Sequence, residues 1–207
     1  MTTKQVPYVV GICGGSGSGK TYILSQIAKQ FGQDNLCVFG MDNYYKSKEV
    51  LERDDKGVVN YDVPQALDLD QYAKDLCKLK NGESLRVKEY TYNNPNAPEK
   101  WLDIAPKPII VVEGLFVFCH EGIREQLDLK IFLDVEDIIK LKRRILRDNV
   151  ERGYDLHDVL YRYEKHVLPS FQRFVAPHKG ISDLIVPNHK NCVLAVEIIT
   201  HYLATKI

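Results

Sequence analysis

Eight residues near the start of the chain, Gly14-Gly15-Ser16-Gly17-Ser18-Gly19-Lys20-Thr21, have the types and spacing to hold phosphate. They fit the pattern G-x-x-x-x-G-K-[ST] in full. Glycines let successive backbone N–H groups turn inward on an anion, and a helix N-terminus behind them adds positive potential. Lys20 is expected to reach the β- and γ-phosphates of a nucleoside triphosphate, and the Thr21 hydroxyl to bind Mg²⁺. The adjoining Tyr22 joins the expected nucleotide-binding set.

Two carboxylates stand where such a site could use them. Asp42, in Gly40-Met41-Asp42-Asn43-Tyr44-Tyr45, follows an apolar run. There it can take a proton from an attacking hydroxyl or help hold Mg²⁺. Glu113, in Val111-Val112-Glu113-Gly114, ends another apolar run, the position of a Walker-B-type metal ligand. Further on, Lys142-Arg143-Arg144-Ile145-Leu146-Arg147 is a basic stretch. Arg144 and Arg147 are three apart, share a helix face, and suit the charge that spreads over a phosphoryl group in transfer. The spacing predicts a lid over about 144–158 that closes on the phosphates. Tyr44, Tyr45, Tyr61, Tyr90 and Tyr92 could supply planes against a flat acceptor.

These residues need a frame. Apolar runs at Tyr8–Cys13, Leu36–Gly40, Pro108–Glu113, Leu129–Val135 and Asp183–Pro187 read as strands buried on both faces. Helical spacing falls at residues 67–80, 138–149, 156–174 and 193–203, with a further helix behind the phosphate loop. The alternation predicts an α/β, doubly wound, mostly parallel five-stranded sheet. Leu85–Tyr92 and Trp101–Ile104, around an Asn/Pro-rich turn, predict a small β-hairpin flap within about 82–105. Residues 46–60 read as a charged, mobile loop.

The whole chain, 1–207, reads as one domain. Lys and Arg total 28 and Asp and Glu total 28, so bulk charge points to neither nucleic acid nor an anionic membrane. No apolar run reaches the ~18 residues of a membrane span. Five scattered cysteines without zinc spacing suit a reducing, cytoplasmic setting.

Taken in order, the motifs resemble the uridine kinase family of P-loop kinases, which is related to phosphoribulokinase and bacterial pantothenate kinase. The similarity rests on the phosphate loop, Asp42-Asn43-Tyr44-Tyr45, Tyr61-Asp62-Val63-Pro64-Gln65-Ala66-Leu67-Asp68, Val112-Glu113-Gly114-Leu115, Arg143 to Asp148, Glu151-Arg152-Gly153 and Ser182 to Pro187. The resemblance implies a P-loop NTPase fold and transfer of the γ-phosphoryl group of ATP, with GTP an open alternative, to the 5′-hydroxyl of uridine or cytidine. It implies Asp42 as base, Thr21 and Glu113 at the metal, and Arg144, Arg147 and Arg152 at the lid and phosphates. It further implies Tyr45, Tyr61, Asp62, Tyr90 and Tyr92 in the acceptor pocket, and a homo-oligomer, tetramer or dimer.

Departures from the family pattern fall on the acceptor side. A flap histidine and arginine are replaced by Pro95 and Ala97, an arginine by Tyr154, and a glutamine by Arg162. Tyr154 and Arg162 would suit an acceptor carrying negative charge. Two alternatives therefore stand beside a nucleoside kinase: a kinase for another hydroxylated metabolite, such as pantothenate, a sugar phosphate or glycerate, and a nucleotide-binding regulator without turnover.

Overall fold

The structure, a computed structural model, describes residues 6–91 and 98–207, apart from the side chains of Glu151 and Arg152. Five strands form the main sheet: β1 (Tyr8–Gly14), β2 (Leu36–Gly40), β5 (Ile109–Gly114), β6 (Leu129–Asp134) and β7 (Leu184–Pro187). Their order is β2-β5-β1-β6-β7, and every pairing is parallel. The unbroken apolar runs are explained by burial on both faces. In β1, Val9 and Cys13 enter one core cluster while Val10 and Ile12 enter the other. In β5, Ile110 and Val112 face the first cluster and Ile109 and Val111 the second.

Helices cover both faces. Helix α1 (Lys20–Asn35) buries Ile23, Ile27 and Phe31. Helix α2 (Leu69–Lys80) starts later than the spacing suggested because Asp68 caps it, its carboxylate accepting the Gln71 N–H at 3.0 Å. The short α3 (Glu121–Arg124) was not expected. Helix α4 (Asp137–Arg152) ends at Gly153 in the left-handed region. The expected helix over 156–174 is an α-helix, α5 (Leu156–Arg162), followed by π-helical turns at Tyr163–Val167 and Phe171–Val175 with one α-turn, α6 (Leu168–Ser170), between them. Helix α7 (Val193–Ala204) closes the chain.

The flap forms as expected: β3 (Leu85–Lys88) pairs antiparallel with β4 (Trp101–Ile104). Its tip, with Tyr92, Pro95 and Ala97, lies outside the described residues. The 46–60 segment carries a defined turn, with Arg53 bridged to Val59. Among the described residues no helix is long and apolar enough to cross a membrane.

The chain leaves β1 toward β2 on one side and leaves β5 toward β6 on the other. That reversal opens a crevice beyond the carboxyl ends of β1 and β5, where ligands of open α/β sheets bind. In register, Ile12 lies beside Glu113 and Cys13 beside Gly114, so the phosphate loop and Glu113 leave the sheet at one point.

Candidate functional site

A cavity of about 460 Å³ occupies that crevice. One side is the phosphate loop: Ser16, Gly17, Gly19, Lys20 and Thr21. Gly17 and Gly19 adopt φ of +81° and +96°, a region that side chains rarely enter. A Cβ on Gly17 would stand 2.6 Å from the backbone oxygen of Lys140, so the loop also packs too tightly against α4 for any larger residue. Neighbouring elements fix the loop from outside. Asn188, buried after β7, donates from its amide to the Ser18 carbonyl at 2.9 Å. Arg143 donates to the Gly17 carbonyl at 3.3 Å and to the Asn188 carbonyl at 2.9 Å. Within the loop, Lys20 donates to the carbonyls of Gly14 at 2.9 Å and Gly15 at 3.3 Å.

The carboxylates expected to serve chemistry line the same cavity. Asp42 lies in a 3₁₀ turn (Met41–Tyr44) directly after β2, and Glu113 in β5, and both line the cavity. Burial raises the Glu113 carboxyl above its ordinary range; the Lys20 charge opposes this and the Asp42 charge adds to it. Burial also pushes the Lys20 ammonium down, with Glu113 foremost among the groups pulling it back up. Lys20, Asp42 and Glu113 thus feel one another electrostatically. Among the described residues no three His, Cys, Asp or Glu side chains converge. A divalent cation at this place would rest on the Thr21 hydroxyl, these two carboxylates and phosphate oxygens. All are hard oxygen donors of the kind Mg²⁺ takes, so the residues fit that ion.

The two arginines expected at the lid both lie on α4. Arg144 is only 7% exposed. It donates to Ser16 Oγ at 3.0 Å and lies 3.7 Å from Asp62 and 3.0 Å from Asp148. Its Nε faces Asp148 off the line of a hydrogen bond, so that contact is an ion pair. Arg147, more open, donates from Nε to Asp148 at 2.9 Å. Arg144 therefore joins α4, the phosphate loop and the Asp62 segment, and both arginines line the cavity.

The remaining wall is aromatic. Tyr45 packs against Tyr61 with ring centres 5.9 Å apart and against Tyr90 at 5.1 Å. All three line the cavity, with Asp62 and Arg162. Burial, then the Asp42 and Asp62 charges, raise the Tyr45 phenol far above its usual range, so it stays protonated. Asn43 accepts the Tyr90 N–H at 3.0 Å and so ties the flap to the turn that carries Asp42. Tyr44 turns away into the core, where its hydroxyl donates to Asp75 at 2.9 Å.

Two thirds of the predicted residues thus line one cavity. Gly14, Gly15 and Ser18 form the underside of the loop and do not reach the cavity. Tyr22 is exposed on α1, outside the cavity wall. Tyr154 stands behind Arg162, whose guanidinium lies 5.3 Å from its ring centre. Tyr92 and the Arg152 side chain lie outside the described residues. Sequence reasoning missed Asn43, Leu115 and Arg143. Arg143 was visible in the basic run, but its role depends on Asn188, which only the folded β7 brings near.

Comparison with known proteins agrees with this geometry. The family model described as "Phosphoribulokinase / Uridine kinase family" matches residues 9–195. A uridine kinase of Macrococcus caseolyticus is 35% identical over 192 residues, covering 93% of each chain. Uridine-cytidine kinase B of Dictyostelium discoideum is 31% identical over 201 residues, 97% of this chain and 83% of that one. The solved structure of phosphoribulokinase from Rhodobacter spheroides superposes with a TM-score of 0.66 at 19% identity, covering 88% of this chain and 70% of that one. A phosphate loop, a carboxylate after β2, another in β5 and arginines from α4 meet in one crevice of this fold, and the chain belongs to the phosphoribulokinase/uridine kinase family of P-loop kinases.

Proposed function

We propose that this kinase transfers the γ-phosphoryl group of ATP to the 5′-hydroxyl of uridine or cytidine. The observation that carries the reading is one cavity lined by the phosphate loop, by three tyrosines and by Asp42. The names of the similar proteins, uridine kinase and uridine-cytidine kinase, support the same acceptor.

Asp42 would accept the proton of the attacking hydroxyl. Lys20 would exchange its loop carbonyls for phosphate oxygens. Arg144 and Arg147, already aimed at the cavity, would meet charge on the transferring group without having to be ordered first. Bound Mg²⁺, held through Thr21, Asp42 and Glu113, would neutralise phosphate charge and align the transfer. Tyr45, Tyr61 and Tyr90 would hold the nucleoside and exclude water.

The reading includes a reducing cytoplasm, supported by five cysteines that are all free. It also includes a homo-oligomer, supported by an apolar face on α7 where Leu194, Ile198 and Tyr202 are exposed. The test is acceptor-dependent ADP formation from Mg-ATP with uridine, cytidine, purine nucleosides, pantothenate, ribulose 5-phosphate and glycerate. Turnover confined to the pyrimidine nucleosides is expected. Turnover confined to another acceptor, or tight ATP binding with none, would overturn it.

A further inference from the structure

Among the described residues four arginines line the cavity, and three are committed. Arg144 faces Asp62 and Asp148, Arg147 faces Asp148, and Arg143 serves backbone carbonyls beside the phosphate loop. Arg162 differs. It ends α5 on the tyrosine side of the cavity, and its charge acts on the Tyr61 phenol. Its one hydrogen bond among the described residues is a long one, Nη1 to the Val59 carbonyl at 3.4 Å.

The surrounding structure holds this guanidinium in place. One face lies toward the Tyr154 ring. Val59 belongs to the turn bridged to Arg53, and that turn is fastened to the helix carrying Arg162. The fastener is Asp54. One of its oxygens accepts the N–H groups of Lys56 and Val58, each at 2.9 Å. The other meets Tyr161 Oη and His166 Nε2, each at 2.8 Å. His166 is buried at the first π-helical turn, and Lys56 sits 4.3 Å from the Tyr161 ring centre. The residues on both sides of Arg162 are thus locked, and most of its N–H donors remain for a ligand.

We propose that Arg162 is a specificity-determining residue that reads the pyrimidine base and makes this a cytidine-preferring site. The proposal rests on the pyrimidine nucleoside reading above. A guanidinium has five donors and no acceptor. Cytosine presents O2 and N3 side by side, both acceptors, and matches a two-pronged donor. Uracil has an N–H at position 3, so the same fork makes one bond and sets a donor against a donor. A polar mismatch of this kind in a desolvated site is steeply selective.

The experiment is steady-state kinetics at saturating Mg-ATP with cytidine and with uridine, for the native chain and for Arg162→Gln. A well-formed bidentate contact is expected to give about a tenfold advantage in kcat/KM for cytidine, expressed mainly in KM. Glutamine both donates and accepts, so Arg162→Gln should bring the ratio close to one; titration with a fluorescent ATP analogue reports that the variant is folded. A native ratio within about twofold of one, or the same ratio in both proteins, would overturn the role of Arg162 while leaving a pyrimidine nucleoside kinase in place. Turnover with neither nucleoside would overturn the functional reading and this proposal with it.

Discussion

Replacing Arg144 by Ala should destabilise the protein severely, and the cause can be separated from lost packing. The guanidinium is 7% exposed and Asp148 only 2%. Removing one partner of a buried ion pair costs about 3–5 kcal/mol, because the other charge is stranded. Here the loss should fall at the lower end, about 3 kcal/mol, since Arg147 still holds the second Asp148 oxygen at 2.9 Å. In a domain of this size that lowers Tm by about 6–12 °C. The assay is guanidinium chloride unfolding of the native chain, Arg144→Ala, and Arg144→Ala with Asp148→Asn. The double variant removes the stranded charge and should regain at least about 1 kcal/mol over the single one. A single-variant loss below about 1 kcal/mol, or no regain in the double variant, would refute buried charge pairing as the source of the stability that Arg144 supplies.

Asp42→Asn should lower kcat by roughly 10²–10⁴-fold while affinity for ATP without Mg²⁺, measured by calorimetry, stays near native; a kcat within about tenfold of native would deny Asp42 the role of base. Gly17→Ala places a side chain at φ +81° and 2.6 Å from the Lys140 carbonyl. ATP affinity should fall at least about tenfold with the fold retained by circular dichroism, and a native-like Kd would show that the loop yields. The Asp54 carboxyl is a pH reporter. Burial works against its charge, but hydrogen bonds from Tyr161, Val58, His166 and Lys56 outweigh burial and hold it at about 2. A depressed folded-state value means the stabilising contribution is present above the unfolded value of 3.8 and disappears as pH falls toward about 2. The native chain should therefore lose stability over that window more steeply than Asp54→Asn, and parallel acid-unfolding curves would contradict it.

Much of this was legible from spacing alone. The phosphate loop is local, and its requirements for strand, glycine turn and helix are written in adjacent residues. Strands buried on both faces announce themselves as unbroken apolar runs, as Ile109 to Val112 does. What escaped depends on distant partners or on a change of helical period. The Arg144–Asp148 pair has i,i+4 spacing and could have been read, but the Ser16 and Asp62 contacts require the folded sheet. Asp54 and Gly57 are turn residues, and composition alone did not show that the turn would fasten to His166. The π-helical turns at Tyr163–Val167 and Phe171–Val175 leave no mark in a pattern read with a period of 3.6.

The strand order has a consequence for how the chain acquires its site during synthesis. When the chain has been made as far as residue 105, β1 and β2 exist, yet neither is the other's neighbour. Both must wait for β5, which inserts between them, and β1 waits further for β6. The phosphate loop has no sheet to stand on until Gly114 has been added, no strand on its other side until β6 follows, and no outer clamp until Asn188. Until then two apolar strands are exposed to misassociation, a hazard inherent in parallel sheets built from contacts remote in sequence. A ribosome-bound nascent chain should therefore bind nucleotide only once Asn188 has emerged.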